Sequence, residues 1–377
     1  MRQRDRTLAE KNHSEKTVFL SDLTQPWDMA FDSSGRMFLL KSARAIGAND
    51  RWQNPTFIWH KGASLVADDF FCQGQTGMYG VALHPKFKSN QILYVYMPSN
   101  KSKPRTNRVV QLTLNEQLSK VLQRKDIVED IRFKDARNRW GSPGAHSGGR
   151  LRFGPDGRLY ITTGDNHNGP LPQSKTQLGG KVLRVDENGN GFEDNNSPGD
   201  PRIFTYGHRN IQGIDFQPGT NKVVVSEHGP GHNDEVTFLT AGGNGGWDPS
   251  PYKGVECSDN YCGYISNRPD GKLTSMTDTD RYPKAMPPVW NNEGDSQGTG
   301  PCVFLKGPHW KEWNGALAVG VMVDRRLEIL QFNPDNTLKV LPRQISLERV
   351  CGHSCKALMV ICTSPPIAEI WKVTANS

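Results

Sequence analysis

One pattern of apolar and polar positions keeps returning along the chain. An apolar residue is followed by a turn rich in Pro, Asp, Asn and Gly, and then by a segment of alternating or β-branched apolar residues. It reads F-D-S-S-G-R-M-F-L-L from Phe31, F-G-P-D-G-R-L-Y-I-T from Phe153, F-Q-P-G-T-N-K-V-V-V from Phe216 and F-N-P-D-N-T-L-K-V-L from Phe332. A version with a longer turn, L-H-P-K-F-K-S-N-Q-I-L-Y-V-Y, starts at Leu83. Turn residues set between such runs predict hairpins, and the segments at 92–96, 109–112 and 222–225 are rich in strand formers. Successive starts lie 52, 70, 63 and 116 residues apart, the last close to two periods. A period of about 60 gives about six units, each long enough for a four-stranded sheet. Such a sheet cannot bury both faces alone. Packing the units around an axis does so and protects the strand edges.

The pattern therefore predicts an all-β fold: a single six-bladed β-propeller domain over 1–377, with long loops over one end of its channel. Residues 1–17 are expected to be a disordered N-terminal segment and 347–366 an irregular last blade. Long connections at 132–148 and 240–300 fall outside the repeat, and connections of that length are usually functional or disordered. An irregular array of β-sandwiches is the competing architecture.

Composition supports this. Gly 38 and Pro 25 among 377 residues suit many short strands and turns. No run approaches the ~18 apolar residues of a spanning helix, so no membrane span is expected. The net charge of +7 has no dense basic run. It reads as a solvated surface or as a site for an anionic ligand, and no nucleic-acid motif accompanies it. Among seven Cys, Cys257 and Cys262 bracket C-S-D-N-Y-C, which is neither zinc nor thioredoxin spacing. A local disulfide would suit an oxidising compartment. The N-terminus shows no apolar stretch of a signal peptide.

Several segments carry chemistry. P-G-A-H-S-G-G-R at 143–150 places His146 on a Gly-rich loop leading into a strand. Small neighbours let a substrate approach the imidazole, a natural base near neutral pH; a lone histidine is more often structural. G-H-R-N-I-Q-G at 207–213 sets Arg209, Asn210 and Gln212 within four positions. This suits carboxylates and carbonyls of a flat ligand, or a turn whose amides cap the backbone. In E-H-G-P-G-H-N-D-E-V at 227–236, Gly229-Pro230 forces a tight turn with exposed carbonyls, and Asp234 and Glu235 add carboxylates. Ca²⁺ takes hard oxygen ligands of this kind. His228 and His232 are spaced as a zinc pair would be, but Pro230 argues against the helix that needs. D-E-N-G-N-G from Asp186 opens like an EF-hand loop but reaches Ser197 where the bidentate Glu belongs, so it reads as an Asx-rich loop. Asp165 and Asn166 after Thr162-Thr163 read as turn formers, with an end-of-strand site position as the alternative. No GxGxxG, P-loop or GxSxG motif is present.

Together these segments resemble the glucose/sorbosone dehydrogenase family, the soluble aldose sugar dehydrogenases dependent on pyrroloquinoline quinone (PQQ). The carrying motifs are P-W-D-M-A-F at 26–31, G-Q-T-G-M-Y-G-V-A-L-H-P at 74–85, A-H-S-G-G-R-L at 145–151, T-G-D at 163–165 and L-G-G-K-V-L-R-V at 178–185. G-H-R-N-I-Q-G at 207–213, H-G-P-G-H-N-D-E-V at 228–236 and A-G-G-N-G-G-W at 241–247 complete the set in the family's order. The family fold is a six-bladed propeller.

The resemblance implies oxidation of the C1 hydroxyl of an aldose to a lactone, with hydride transfer to the quinone. His146 would be the base and Arg209 would polarise the quinone oxygen. Asn210 and Gln212 would bind PQQ beside it. The carbonyls of Gly229 and Pro230 would hold Ca²⁺, and Glu235 would serve a second Ca²⁺. Gln75 and Asp234 would line the sugar pocket. Two stretches depart from the pattern. G-V-M-V-D-R-R at 320–326 lacks a basic cofactor contact near Val323, for which Arg325 or Arg326 could substitute. Residues 347–366 lack the expected turn and arginines, leaving Arg349 and Arg343 as cofactor contacts.

The resemblance further implies an unidentified electron acceptor, a monomer or homodimer without nucleic-acid partners, and a periplasmic or secreted protein. A catalytically impaired sugar- or quinone-binding propeller and a Ca²⁺-dependent propeller lactonase are the alternatives.

Overall fold

The computed structural model describes residues 14–23, 26–41, 45–49, 56–60, 68–323, 326–340, 342–346, 357–362 and 368–375. These residues form six sheets. The first holds Pro26–Phe31, Met37–Lys41, Ala45–Asn49 and Thr56–His60. The second holds Gly80–Leu83, Ile92–Ser99, Thr106–Leu114 and Val121–Arg132. The third runs Gly148–Phe153, Leu159–Thr163, Lys181–Val185 and Ile203–Tyr206, with Gly243–Asn244 added in parallel at its edge. The fourth contains Ile211–Phe216, Val223–Glu227, Glu235–Phe238 and Trp290–Asn291. The fifth contains Thr299–Phe304, Leu317–Val321, Arg326–Leu330 and Arg343–Ser346. In the last sheet, Ala368–Ala375 pairs on one side with Ala357–Cys362 and on the other with the N-terminal strand Ser14–Leu23. The two ends of the chain thus share one sheet.

Four of the five repeat starts sit where the pattern puts them, at the hairpin joining a sheet's first and second strands. Phe153 pairs with Leu159 across the turn, and Phe216 pairs with Val223. Phe31 pairs with Met37, and Leu83 with Leu93. The fifth start is out of phase. Phe332 bridges Leu338 after the third strand of the fifth sheet, whereas that sheet's first hairpin runs from Phe304 to Leu317. A similar turn chemistry serves a different hairpin there. The longer turn after Leu83 holds a one-turn helix, Phe87–Asn90, seated by buried Phe87, which the pattern did not predict.

The leading strands of the first five sheets pack successively: Pro26–Phe31 on Gly80–Leu83, that on Gly148–Phe153, then Ile211–Phe216, then Thr299–Phe304. Apolar side chains fill the space between sheets. Tyr94, Val109 and Ile131 of the second sheet meet Leu151, Ile161 and Leu183 of the third. Near the axis, Asp28 of the first sheet takes Arg150 Nη1 at 3.2 Å and Arg152 Nη2 at 2.9 Å from the third. It also accepts the Val81 N–H of the second at 3.0 Å. Arg150 Nε reaches the Gln212 carbonyl of the fourth at 2.9 Å. Breaking a buried, paired charge cluster of this kind is costly, so it fixes four leading strands relative to one another.

That order places the chemistry. Gln75, His146 and Arg209 each precede the leading strand of their sheets, while Asp165 and Gly229 each follow the second strand of an adjacent hairpin. Antiparallel neighbours bring all these positions to the same end of the assembly. The connections 133–147 and 245–289 lie among these loops, as their length predicts. No described helix is long and apolar enough to cross a membrane.

Candidate active site

His146 stands on the loop leading into Gly148–Phe153 with a left-handed φ of 51°, a conformation non-glycine residues seldom adopt. The surroundings impose it. A Cβ on Gly164 would lie 2.1 Å from the His146 carbonyl oxygen, so only glycine lets the two loops approach. This approach brings Asp165 against the imidazole, with Asp165 Oδ1 2.7 Å from His146 Nδ1.

Asp165 is wholly buried. Its Oδ2 accepts from Trp247 Nε1 at 2.8 Å and from the Tyr261 hydroxyl at 3.1 Å. Its Oδ1 also accepts the His167 backbone N–H at 2.9 Å. Burial pushes the carboxyl up from its ordinary range, and His167, Arg209 and the donated bonds oppose this. With Asp165 accepting at Nδ1, the His146 proton resides on Nδ1 and the Nε2 lone pair faces the site. Burial, helped by Arg209, His228 and Lys134, holds the imidazole well below its ordinary range, so it is a neutral base at neutral pH.

Arg209 comes from the fourth sheet's leading loop and is 2% exposed. Glu227 fixes that loop: its carboxylate accepts the backbone N–H groups of Arg209 and Asn210 and faces His208 Nδ1 at 3.1 Å. The guanidinium donates to the His228 carbonyl at 2.6 Å and to the Tyr264 hydroxyl at 3.0 Å. Its Nε is buried without a hydrogen-bond partner, and no carboxylate pairs with it among the described residues. The Tyr264 hydroxyl also lies 3.3 Å from His146 Nε2, so base and guanidinium meet at one hydroxyl oxygen. Tyr264 follows two residues after the loop that the Cys257–Cys262 disulfide closes, and it stacks on Trp140.

The other expected positions separate. Asn210 Oδ1 accepts the Gly148 N–H at 3.2 Å and Gln212 Nε2 at 3.0 Å, so these amides tie the two leading loops together. Gln75 is exposed, and its N–H donates to the Pro143 carbonyl of the His146 loop at 2.9 Å. Asp234 is wholly buried. Its oxygens take the N–H groups of Gly229 at 2.8 Å, Gln297 at 3.0 Å and Thr299 at 2.8 Å, and the Ser296 hydroxyl at 2.6 Å. Burial works to raise it, but the His228 imidazole and these donors hold it well below the ordinary carboxylate range. Asp234 thus ties the loop after Glu227 to the leading loop of the fifth sheet. Gly229 and Pro230 are buried, and among the described residues neither carbonyl accepts a backbone hydrogen bond. Glu235 lies beneath, bonded to Thr277 Oγ1 at 3.0 Å; burial and the nearby Glu227 push it up to about 8.

Arg349 and Arg325 lie outside the described residues. Arg343 is on the fifth sheet's fourth strand, ion-paired with Glu312 at 3.3 Å. Arg326 pairs with Glu328 and reaches Gln297 at 3.2 Å. His228 and His232 do not converge, since His232 Nε2 faces the Thr274 carbonyl. Asp186 forms the expected Asx-rich turn by accepting from Asn188 and Asn190. Sequence reasoning missed the part played by Asp165, which it took first as a turn former, and did not single out His167, Glu227, Tyr261 or Tyr264. Trp247 stood within a quoted motif but had no role assigned.

An almost all-β chain of sheets packed leading strand to leading strand, with a histidine–aspartate pair and a buried arginine at one end, defines the class: a propeller-type protein with a polar site among its loops. The chain belongs to the Glucose / Sorbosone dehydrogenase family, whose pattern it matches over residues 23–350. It is 28% identical to aldose sugar dehydrogenase YliI of Escherichia coli over 84% of this chain and 80% of that one. It is 28% identical to quinoprotein glucose dehydrogenase B of Acinetobacter calcoaceticus over 63% of this chain and 53% of that one. The PQQ-bound aldose sugar dehydrogenase of Streptomyces coelicolor has a similar fold, with a TM-score of 0.71 at 20% identity over 96% of this chain and 98% of that one.

Proposed function

We propose that this chain is a soluble quinoprotein that oxidises the C1 hydroxyl of an aldose to a lactone, with PQQ as cofactor. One observation carries the reading: a fully buried guanidinium without a carboxylate partner, beside a neutral imidazole. Burying a charge without an ion-pair partner is expensive, and Arg209 has the geometry to meet an electron-rich oxygen or a carboxylate of an incoming ligand. A planar quinone with carboxylates fits that cation. The unengaged carbonyls of Gly229 and Pro230 offer hard oxygens suited to Ca²⁺, and Glu235 offers a carboxylate for a second Ca²⁺.

Bound PQQ would supply the two-electron acceptor for the hydride leaving C1. The chain's own residues do the rest. Asp165 keeps the His146 proton on Nδ1, and His146 Nε2 takes the proton of the sugar hydroxyl. Arg209 stabilises negative charge developing beside it, and Asn210 and Gln212 hold the two loops in register. Trp247 and Tyr261 hold the Asp165 carboxylate in place. The Tyr264 hydroxyl stands where a substrate hydroxyl would meet both groups. Gln75, exposed beside this loop, and Asp234 would contact the sugar, and Arg349 would contact the cofactor. The six sheets are read as six blades of one domain. The Cys257–Cys262 bond suits export to a periplasmic or extracellular compartment.

Titration of the purified apoprotein with PQQ and Ca²⁺, with glucose as reductant, tests this. Saturable quinone binding with dye reduction is expected. Binding without turnover would leave a binding propeller, and lactone hydrolysis without quinone would leave a hydrolase.

A further inference from the structure

Three polar groups of the site meet at one point, and a side chain of the protein already fills it. The Tyr264 hydroxyl lies 3.0 Å from Arg209 Nη2, 3.1 Å from His167 Nε2 and 3.3 Å from His146 Nε2. The guanidinium only donates. His146 carries its proton on Nδ1, toward Asp165, so its Nε2 only accepts. His167 Nδ1 is buried without a hydrogen-bond partner, and an N–H there would go unmet, so its proton sits on Nε2. The two Nε2 atoms are 3.0 Å apart, but ring centroids only 3.8 Å apart set them side by side, and a hydrogen bond between them would be bent.

The place thus offers two donors and one acceptor. A hydroxyl answers all three, accepting twice and giving its proton to His146. A quinone or carboxylate oxygen, which only accepts, would leave His146 Nε2 unmatched. Burial raises the Tyr264 phenol against the pull of Arg209, so it keeps the proton that meets the acceptor. Tyr264 is also placed to leave. It is 37% exposed, while Arg209 is 2% exposed. It sits in the turn closed by the Ile265 N–H on the Cys262 carbonyl at 3.0 Å, and its ring rests on Trp140, centroids 5.5 Å apart. The Cys262 N–H on the Pro249 carbonyl at 2.7 Å and Thr274 Oγ1 on the Cys262 carbonyl at 2.9 Å anchor the turn. The ring can therefore swing toward solvent by side-chain rotation while the turn stays.

We propose that Tyr264 is a built-in competitor of the substrate: its phenol holds the place of the reacting hydroxyl, and an aldose displaces it to reach His146. The proposal rests on the reading of His146 as the base for a sugar hydroxyl. The exchange is one neutral hydroxyl for another, so Arg209, His167 and His146 keep the same number of hydrogen bonds throughout. The sugar's apparent affinity is then lowered by whatever holds the phenol in, and KM is set partly by this side chain.

The test compares the PQQ- and Ca²⁺-loaded wild type with Tyr264→Phe, which keeps the ring and its stack and removes the hydroxyl. Two quantities are read: KM for glucose, and the glucose dissociation constant by calorimetry with the cofactor already reduced. Both are expected to fall about fivefold or more, the worth of the hydrogen bonds that no longer hold the ring in. Values unchanged or raised would overturn the proposal, as for a hydroxyl that contacts the sugar or serves only the fold. ¹⁵N NMR of the apoprotein gives a readout without cofactor. Tyr264→Phe should shift His146 Nε2 toward the value of an unbonded lone pair, with His167 still protonated on Nε2. An unmoved His146 signal, or a His167 proton on Nδ1, would refute the arrangement. A wild type that binds glucose without turnover would sink the dehydrogenase reading alone, and the affinity comparison would still decide the competitor.

Discussion

His146 Nδ1 and Asp165 Oδ1 lie 2.7 Å apart, and the carboxylate of that pair is held from its other side by Trp247 and Tyr261. The aspartate therefore has one orientation and the imidazole one tautomer. An asparagine at 165 would keep the packing but can present an amide N–H to Nδ1, which would move the histidine proton onto Nε2.

Asp165→Asn is accordingly expected to cost on the order of 10²–10⁴ in kcat, with the melting temperature and quinone affinity little changed. Steady-state kinetics beside a thermal melt checks this. Retained turnover would mean that the tautomer is not what the pair controls.

Arg209 makes an unusual prediction about stability. Its guanidinium is buried without an ion pair, so Arg209→Met removes a desolvation cost along with two donated hydrogen bonds and the longer-range attraction of Asp165 and Glu227. The apoprotein should then lose far less than the ~3–5 kcal/mol typical of breaking a buried ion pair. Quinone affinity should fall a hundredfold or more. A calorimetric melt and a cofactor titration separate the two effects. A large loss of apoprotein stability would show that the residue serves the fold.

Much of this was legible in the sequence, and the failures have physical causes. The apolar–turn–strand pattern marks the first hairpin of four sheets because Pro, Asp, Asn and Gly are needed wherever the chain reverses tightly. It misplaced Phe332 because the third hairpin of a sheet needs the same residues. His146 and Arg209 stood out on short glycine-bearing motifs. Asp165 did not, since an Asp-Asn pair after a strand is ordinary turn chemistry until its partners are known. Those partners come from far along the chain: Trp247 is 82 residues from Asp165, and Tyr264 is 118 from His146. Asp234 shows what the sequence leaves out. A carboxylate in a polar loop reads as a ligand contact, and the backbone N–H groups that this one also accepts, from Gly229, Gln297 and Thr299, are set by the fold.

The pH profile should carry the mark of the buried base. A histidine held below its ordinary range stays neutral, and so competent, to lower pH. The acid limb of kcat/KM is expected well below pH ~6.5, the ordinary imidazole value. Lys134→Gln removes one of the positive neighbours that lower the imidazole, so the limb should move upward in that variant. A limb at the ordinary value in the wild type, unmoved by Lys134→Gln, would contradict this assignment of the base.

Glu235 links the proposed cation to stability. Burial and Glu227 push its carboxyl up to about 8 from an ordinary 4.5, so the folded apoprotein holds a proton there that the unfolded chain has released. Between those values folding binds more protons than unfolding. Apoprotein stability should therefore fall as pH rises through this window, by about 1.4 kcal/mol per pH unit from this group, and level off above it. Glu235→Gln, which stays neutral, should flatten the slope and be the more stable form at pH 8. A divalent cation bound at this carboxylate favours its ionised form, so Ca²⁺ should raise the melting temperature more at pH 8 than at pH 6. In Glu235→Gln that difference should vanish. Melts at the two pH values, with and without Ca²⁺, decide it: equal stabilisation at both in the wild type would place any bound Ca²⁺ away from Glu235.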